Sequence, residues 1–273
     1  MATKTVAFVY LIYKLITFVN SEESLNSILF NNSQYEFIDL THSFDNNTVY
    51  WPDMQNFIFT KKFEQLSAAE KSWYAANDFA AGEHGGTHID APYHFYQSGI
   101  YVGEIPLEKL IIPLIIVDIS SLVSDDPNFV LHKHHLDYIL NNNLGKPCLL
   151  IFKFGWSKYF HDREKYLGIT TGTDTLNFPG LSAEVAEWIT TSYKNVVGIG
   201  VDVASVDPGS STDFPVHKIV SKAGLYGIEN VNLHRTVPDT GCTALVLPMK
   251  IAFGTGAPLR LVAICPKRNP LRF

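Results

Sequence analysis

The chain has 273 residues and a formal net charge of −6 at neutral pH. With 46% hydrophobic and 18% charged residues it can build a full core, and its composition differs from that of disordered proteins. The acidic balance, and the lack of any helix-turn-helix, finger or RNP-like motif, argue against a nucleic-acid partner, because binding phosphates needs a concentrated basic face.

The N-terminus carries the first predicted element, a Lys4-led apolar stretch over residues 6–19. Small or β-branched residues follow it, as they do before a signal-peptidase cut, which predicts a secretory signal over residues 1–21 and one domain over residues 22–273. Lys14 interrupts the stretch, so a buried N-terminal strand or helix is the alternative. A stable membrane span is not expected, because spanning needs about 20 apolar residues. We therefore expect a secreted or secretory-pathway protein, or a cytoplasmic one if this segment is not a signal.

Sequons and cysteines bear on the same question. In the secretory pathway, Asn31 and Asn46 would each head an N-x-S/T glycosylation triplet. Cys148, Cys242 and Cys265 are far apart and form no C-x-x-C pair, which indicates neither a disulfide framework nor a cysteine zinc site. At most one bridge is possible, and Cys148, in the apolar run "PCLLIF", is predicted to be buried.

Short β-branched runs and two helical segments follow along the chain. Strands are predicted within residues 35–44, 113–120, 147–155, 196–207, 225–231 and 243–253. Ser182 is the expected N-cap of a helix over 182–193, and a shorter helix over 214–224 has a proline near its start and Gly224 at its end. No repeat or linker divides the chain, so we predict a single α/β domain with a mixed β-sheet core and flanking helices. Motifs for phosphate loops, dinucleotide binding and the serine nucleophile elbow are all absent.

The stretch "HGGTHIDAPYHF" is the densest group of metal-ligand residue types. Two glycines between His84 and His88 disfavour a helix, whereas in an extended segment His84, His88, Asp90 and His94 share one parity and hence one face. The glycines permit a tight bend, and Pro92 ends any strand pairing. Two imidazoles and a carboxylate form a facial set suited to zinc, manganese or iron with an open position for water. The alternative is a loop of hydrogen-bonding residues.

A second candidate cluster contains His217, on the short predicted helix, and Glu229, at the end of a strand. By itself each residue is more often structural than functional. Whether His217 and Glu229 are functional can be judged only together with the other motifs of the sequence.

Residues 84–94 match the pattern H-x-G-T-H-x-D-x-P-x-H at every fixed position. The segments "IDLTHSF", "YWPD", "FGWSKYF", "FPGLSAEVAEWI", "GIGVDVASVDPG" and "LPMKIAFGTGAPLRLVAI" follow in the same order as in the family of metal-dependent cyclases that includes bacterial kynurenine formamidase and isatin hydrolase. The sequence resembles this family over residues 36–264. The resemblance implies a swivelling β/β/α-like cyclase fold.

The resemblance also implies the site and the reaction. It implies two divalent metal ions, with zinc favoured and manganese as the alternative, the first held by His84, His88 and Asp90. Asp90 would also touch the second ion, which His217 would hold and Glu229 would bridge. The remaining implied roles are general acid and base for His94, and substrate contacts for Trp51 and Ser205. The expected reaction is hydrolysis of an aryl-formamide or cyclic amide by metal-activated water, and the expected assembly is a homodimer or homotetramer.

Two departures from the family pattern concern the substrate. The usual W-P-G-D turn is W-P-D-M here, and Phe154 stands where the family more often has Thr, which predicts a more apolar pocket. The rival hypothesis is a non-catalytic secreted metal-binding or interaction protein on the same scaffold, which predicts a lost ligand or a lost His94. None is lost. A structural zinc site would favour cysteine ligands.

Overall fold

The computed structural model describes residues 34–67, 71–136, 146–169, 172 and 175–267. The predicted signal peptide and the sequon at Asn31 lie outside the described residues.

Twelve strands and four α-helices form within the described residues. The strands are β1 (Tyr35–Asp39), β2 (Ile58–Ser67), β3 (Ser72–Ala80), β4 (His88–Asp90), β5 (Ile111–Asp118), β6 (Val130–Leu131), β7 (Cys148–Lys153), β8 (Gly180–Leu181), β9 (Val196–Val201), β10 (Tyr226–Glu229), β11 (Cys242–Pro248) and β12 (Gly256–Pro266). The α-helices are α1 (Ser120–Val123), α2 (Arg163–Leu167), α3 (Ala183–Ser192) and α4 (Pro215–Lys222). Single turns of 3-10 helix lie at Pro92–His94, Val102–Glu104, Leu107–Lys109, Lys133–His135 and Ser157–Tyr159.

The central sheet has eight strands in the order β1-β12-β11-β5-β7-β9-β10-β4. Strands β5, β7, β9 and β10 are parallel and the other pairings are antiparallel, which confirms the predicted mixed sheet. Strand β4 pairs with both β10 and β12, so seven strands close into a ring. The closure depends on a strand of only three residues, too short for its pairing to be predicted from the sequence.

Alternating side chains on the buried strands supply two separate cores. Leu149 and Ile151 pack inside the ring. Leu150 and Phe152, which point the other way, pack outside it in the same cluster as Val185 of α3. This period of two is the pattern of a strand buried on both faces, and it decides which residues of each strand pack against the helices.

Both predicted helices are confirmed. Helix α3 begins after Ser182, whose Oγ accepts a hydrogen bond from the Val185 N–H at 3.2 Å. Helix α4 starts with Pro215 and is followed by Gly224, which has a positive φ of 75°. The β2–β3 hairpin, in contrast, was not predicted. Its two strands form a sheet of their own and leave several large apolar side chains more than a third exposed: Ile58, Phe59, Phe63, Leu66, Trp73, Tyr74 and Phe79.

The cysteine prediction is confirmed. Cys242 and Cys265 form one disulfide that joins β11 to β12, and Cys148 is a buried free thiol. Within the described part of the chain, no helix combines the length and apolar character needed to cross a bilayer.

Candidate metal and substrate site

A cavity of about 190 Å³ opens where β4, β10 and the start of α4 meet. Its walls include all the predicted site residues except Asp90: Trp51, His84, His88, His94, Ser205, His217 and Glu229. Asp90 is buried directly behind them, with its Oδ1 2.6 Å from His84 Nδ1, and it lies close to His88 and His217. The cavity is at the carboxyl ends of parallel strands β9 and β10, where open α/β sheets commonly bind ligands.

Strand pairing positions the carboxylates. His88 is directly opposite Glu229, and Asp90 is opposite Gly227, so His88, Asp90 and Glu229 project to the same side of the sheet. Gly86, with φ of 55°, makes the predicted bend between the first two histidines. The extended segment is shorter than predicted, because only His88–Asp90 is a strand and His94 reaches the cavity from a 3-10 turn. Pro92 starts that turn.

Both strand neighbours of Asp90 are glycines. A Cβ on Gly227 would lie 3.1 Å from Asp90 Oδ2, and a Cβ on Gly256, on the other side, would lie 2.5 Å from the His84 ring. Real Cβ contacts are essentially never as short as 2.5 Å, so a side chain at Gly256 would displace the His84 ring. The 3.1 Å distance at Gly227 is tight, and a side chain there would require Asp90 to move by a few tenths of an ångström.

Two groups of donor atoms share one carboxylate. His84, His88 and Asp90 offer ligand atoms within 4.8 Å of one another, and so do Asp90, His217 and Glu229. The structure thus brings together the five residues that the resemblance assigned to two metal ions, with Asp90 common to both groups.

Unpartnered buried atoms test whether a cation fits. His88 donates from Nδ1 to the Gly86 carbonyl at 2.9 Å, which turns the lone pair of Nε2 toward the carboxylates. Neither His88 Nε2 nor Asp90 Oδ2 has a hydrogen-bond partner, although Nε2 lies 3.2 Å from Asp90 Oδ1. Buried polar atoms without partners are costly, and divalent-cation ligation satisfies both of these. The donor set therefore fits a metal.

The tautomer of His84 follows from its neighbours. Glu83 Oε2 accepts the hydroxyl hydrogen of Thr255 at 2.7 Å, because a carboxylate oxygen only accepts. Thr255 Oγ1 is then left to accept from His84 Nε2–H at 2.8 Å. In a neutral His84 the lone pair of Nδ1 then faces Asp90 Oδ1 at 2.6 Å. Two acceptors at this distance need a proton or a metal ion between them, and a divalent cation suits the histidine and carboxylate donors.

Asp207 orients the third imidazole. Its Oδ2 accepts from His217 Nδ1 at 2.7 Å and from the His217 backbone N–H at 3.1 Å, while Oδ1 accepts from the Val216 N–H at 2.9 Å. One buried carboxylate thus caps α4 and leaves His217 Nε2 free to face Glu229 Oε1 at 3.1 Å.

The pKa values of His88 and His217 show that this site favours positive charge. Burial alone lowers the pKa of His88, but the nearby carboxylates of Asp90 and Glu229 outweigh it and raise the pKa to about 9. Burial likewise opposes the pKa change of His217, whose bonds to Asp207, Asp90 and Glu229 raise the pKa well above its ordinary value. Without a metal, the cluster retains protons instead.

His94 differs from the ligand histidines. Its ring stacks on that of His84 with centroids 3.8 Å apart, and burial lowers its pKa to about 3. His94 is therefore neutral near pH 7 and has a nitrogen able to accept a proton.

Aromatic rings form another part of the cavity wall, next to the candidate ligand His217. Trp51 lines the cavity, although Asp53 replaces the glycine that usually follows the proline in this turn. Phe95 and Phe214 complete the wall. Phe154 does not line the cavity, so the expectation that it makes the pocket more apolar is wrong; its side chain packs in the outer core. Its backbone N–H instead donates to the buried Asp202 at 2.6 Å.

The backbone of Phe214 is strained. It adopts φ 50° and ψ 54°, the left-handed region that bulky side chains rarely enter, and it precedes Pro215, a position that favours extended backbone. Such a conformation costs of order 1–3 kcal/mol.

Three comparisons show which known proteins this chain is similar to. The sequence matches the Cyclase family over residues 38–208, and the chain belongs to this family. An isatin hydrolase of Roseibium aggregatum is 27% identical over 207 residues, which cover 71% of this chain and 76% of that protein. A kynurenine formamidase of Bacillus thuringiensis subsp. konkukian is 29% identical over 227 residues, covering 83% and 96%. The solved structure of isatin hydrolase A from Ralstonia solanacearum superposes with a TM-score of 0.77 at 25% identity, covering 90% of this chain and 98% of that one. The expected fold is therefore confirmed.

Sequence reasoning missed the residues that support the ligands, namely Glu83, Thr255 and Asp207. Thr255 is 171 positions from His84, so no local signal connects them. Asp207 is ten positions before His217, in a polar loop whose carboxylate could not be assigned to a helix start without the fold.

Proposed function

We propose that this protein is a metal-dependent hydrolase of an aryl-formamide or cyclic aromatic amide. One observation carries the proposal: two donor groups that share Asp90 form the floor of an aromatic-walled cavity beside the neutral His94. We propose two divalent ions per chain; imidazole and carboxylate ligands suit both zinc and manganese, and zinc is the ion proposed, with manganese as the alternative.

When bound, the ions would supply a Lewis acid and an acidified water. His84, His88, Asp90, His217 and Glu229 would hold them, with their lone pairs fixed by the hydrogen bonds described above.

His94 moves the proton in this mechanism. As a neutral imidazole it takes a proton from the attacking water and passes it to the leaving nitrogen, which makes it both general base and general acid. Ser205 Oγ accepts from the Asp207 N–H at 3.1 Å, so its own O–H remains to donate to a substrate carbonyl. Trp51 covers the substrate ring.

The cavity favours an uncharged, compact substrate. Among the described residues that line it there is neither lysine nor arginine, so a carboxylate tail has no cationic partner inside. An engineered apolar cavity of about 150 Å³ holds benzene, so 190 Å³ accommodates one aromatic unit with its amide. A cyclic amide such as isatin fits this space better than N-formylkynurenine, whose charged tail would remain at the opening.

A secretory location, with cleavage of residues 1–21, is part of the proposal. The Cys242–Cys265 bridge supports it, because disulfides persist in oxidising compartments and are rare in the cytosol. Asn46 supports it as well, since it is exposed in a turn and accessible to glycosylation. Trypsin digestion and mass spectrometry of the secreted protein would detect a mature N-terminus near residue 22 and a glycan on Asn46; an intact N-terminus would contradict it.

We also propose a homo-oligomer, in which the occupant of the exposed hairpin is a second copy of this chain. An isolated two-stranded hairpin is at best marginally stable in water, yet β2 and β3 expose a continuous series of aromatic side chains. Trp73, 63% exposed, is the natural site for a test. Trp73→Glu should give monomers in analytical ultracentrifugation, whereas a charge placed at Leu122, 46% exposed on α1, should not.

The test of function is hydrolysis of isatin and N-formylkynurenine by the purified protein with zinc or manganese, alongside His94→Ala and elemental analysis. Turnover that His94→Ala loses while its metal content is retained supports the mechanism. Metal without turnover of either compound by the wild-type protein would favour the alternative, a non-catalytic metal-binding or interaction protein. A protein that takes up no metal would refute the proposed site.

A further inference from the structure

Phe214 occupies the N-cap of α4, a position where a small polar residue is expected. N-caps favour Ser, Thr, Asp and Asn, and the left-handed backbone found here favours glycine or asparagine. A phenylalanine offers neither a capping oxygen nor backbone freedom. The capping of α4 falls to Asp207 instead, which accepts the N–H groups of Val216 and His217.

The ring of Phe214 shows what this backbone achieves. It is half-buried and lines the cavity, with its centroid 5.8 Å from Trp51 and 5.6 Å from Phe95. Its interplanar angles to these rings are 65° and 49°, so the three rings form a concave aromatic surface, not a parallel stack. The same ring is 5.9 Å from that of His217, which places it beside the candidate metal site.

We propose that Phe214 is a specificity-determining residue whose ring, with Trp51 and Phe95, selects a planar aromatic group over an alkyl group of equal size. The inference rests on the proposed function only in taking this cavity as the substrate site. The strained backbone aims the ring at the space beside the metal ligands, and extended backbone would direct the side chain elsewhere. The strained backbone of Phe214 lowers the stability of the protein locally, and it lies at a position that shapes the substrate pocket.

The experiment compares two ligands of matched size on the metal-loaded protein, benzamide and cyclohexanecarboxamide, by isothermal titration calorimetry. They share the carboxamide and the six-membered ring and differ in planarity and π-electrons. Because an aromatic pair contributes about 1 kcal/mol beyond buried area, losing the Phe214 ring should lower the preference for benzamide about fivefold.

Three variants separate the ring from the strain. Phe214→Asn tolerates the left-handed backbone and removes the ring, so the preference should fall while the melting temperature is unchanged or higher. Phe214→Tyr retains the ring and should retain the preference. Phe160→Leu is the control, because Phe160 is a buried phenylalanine that stacks on His42 and does not line the cavity; it should lower the melting temperature and leave the preference intact.

The outcomes distinguish this inference from the proposed function. If Phe214→Asn binds both carboxamides with the wild-type ratio, or if the wild-type protein binds neither, the inference is wrong. If the preference follows the ring but no amide is hydrolysed, the proposed function fails and the specificity role of Phe214 stands.

Discussion

Replacing Thr255 with valine removes one hydroxyl and preserves the shape of the side chain. Two hydrogen bonds are lost, from Thr255 to Glu83 at 2.7 Å and from His84 Nε2 to Thr255 at 2.8 Å. Glu83 still accepts the Thr255 backbone N–H at 2.9 Å, so the loop retains an anchor, and the loss of two hydrogen bonds should lower the free energy of unfolding by about 2 kcal/mol.

A separate effect should be on metal binding. Without an acceptor at Nε2, His84 loses the bond that fixes its tautomer and ring orientation, and changes of this kind typically weaken metal binding 10- to 100-fold. That range corresponds to about 1.4–2.7 kcal/mol. Zinc affinity measured by competition with a chromophoric chelator gives this number without any activity assay.

Two further variants test the reasoning on Thr255. Thr255→Ser restores the hydroxyl and should restore the affinity. Thr190→Val, which removes a hydroxyl that donates to the Ala186 carbonyl within α3, should leave zinc affinity unchanged. A Thr255→Val protein with zinc affinity within twofold of wild type would refute the assigned role of the Glu83–Thr255–His84 chain.

Three other substitutions test separate features. Asp207→Asn should weaken zinc binding at least tenfold, because the amide cannot accept from His217 Nδ1 and both N–H groups of α4 at once; chelator competition would measure it. Gly256→Ala places a methyl group 2.5 Å from the His84 ring and should lower bound metal in elemental analysis. Burial, with His161 and His234 nearby, lowers the pKa of His42 to about 3, so only the unfolded chain takes up a proton between pH 6.5 and 3 and stability is lost as the pH falls. His42→Phe should remove this dependence, which is worth about 2 kcal/mol between pH 7 and 5 in urea unfolding curves.

Each of these three predictions would be contradicted by a specific result. Wild-type zinc affinity in Asp207→Asn would mean that the orientation of His217 does not depend on that bond. Full metal content in Gly256→Ala would mean that His84 can shift without penalty. Parallel pH profiles for wild type and His42→Phe would show that His42 is not neutral in the folded protein.

The sequence was sufficient for the features that depend on local pattern. The helix over Ala183–Ser192 follows from an N-cap serine and apolar spacing, and the shared face of His88 and Asp90 follows from the period of a strand. Residues that act across the fold were not accessible in this way. The glycines on both sides of Asp90 and the closure of the strand ring depend on which strands become neighbours, and that is settled by packing.

The β2–β3 hairpin escaped prediction for a different reason. Its apolar residues occur on both faces, as at Phe63 and Trp73, and both of these side chains are more than a third exposed. A strand pair without a buried side gives no clean alternation for sequence analysis to detect.

Asp207 joins the start of a helix to a candidate metal ligand through one carboxylate. Opening of the first turn of α4 breaks the Asp207 bonds and therefore also frees the His217 ring. Conversely, a metal ion that holds this ring in place should make opening of the turn rarer. Ion binding and local opening are therefore thermodynamically linked, and amide hydrogen exchange at Val216 and His217 should slow on metal addition in proportion to occupancy. The helix start would serve as a built-in reporter of metal content.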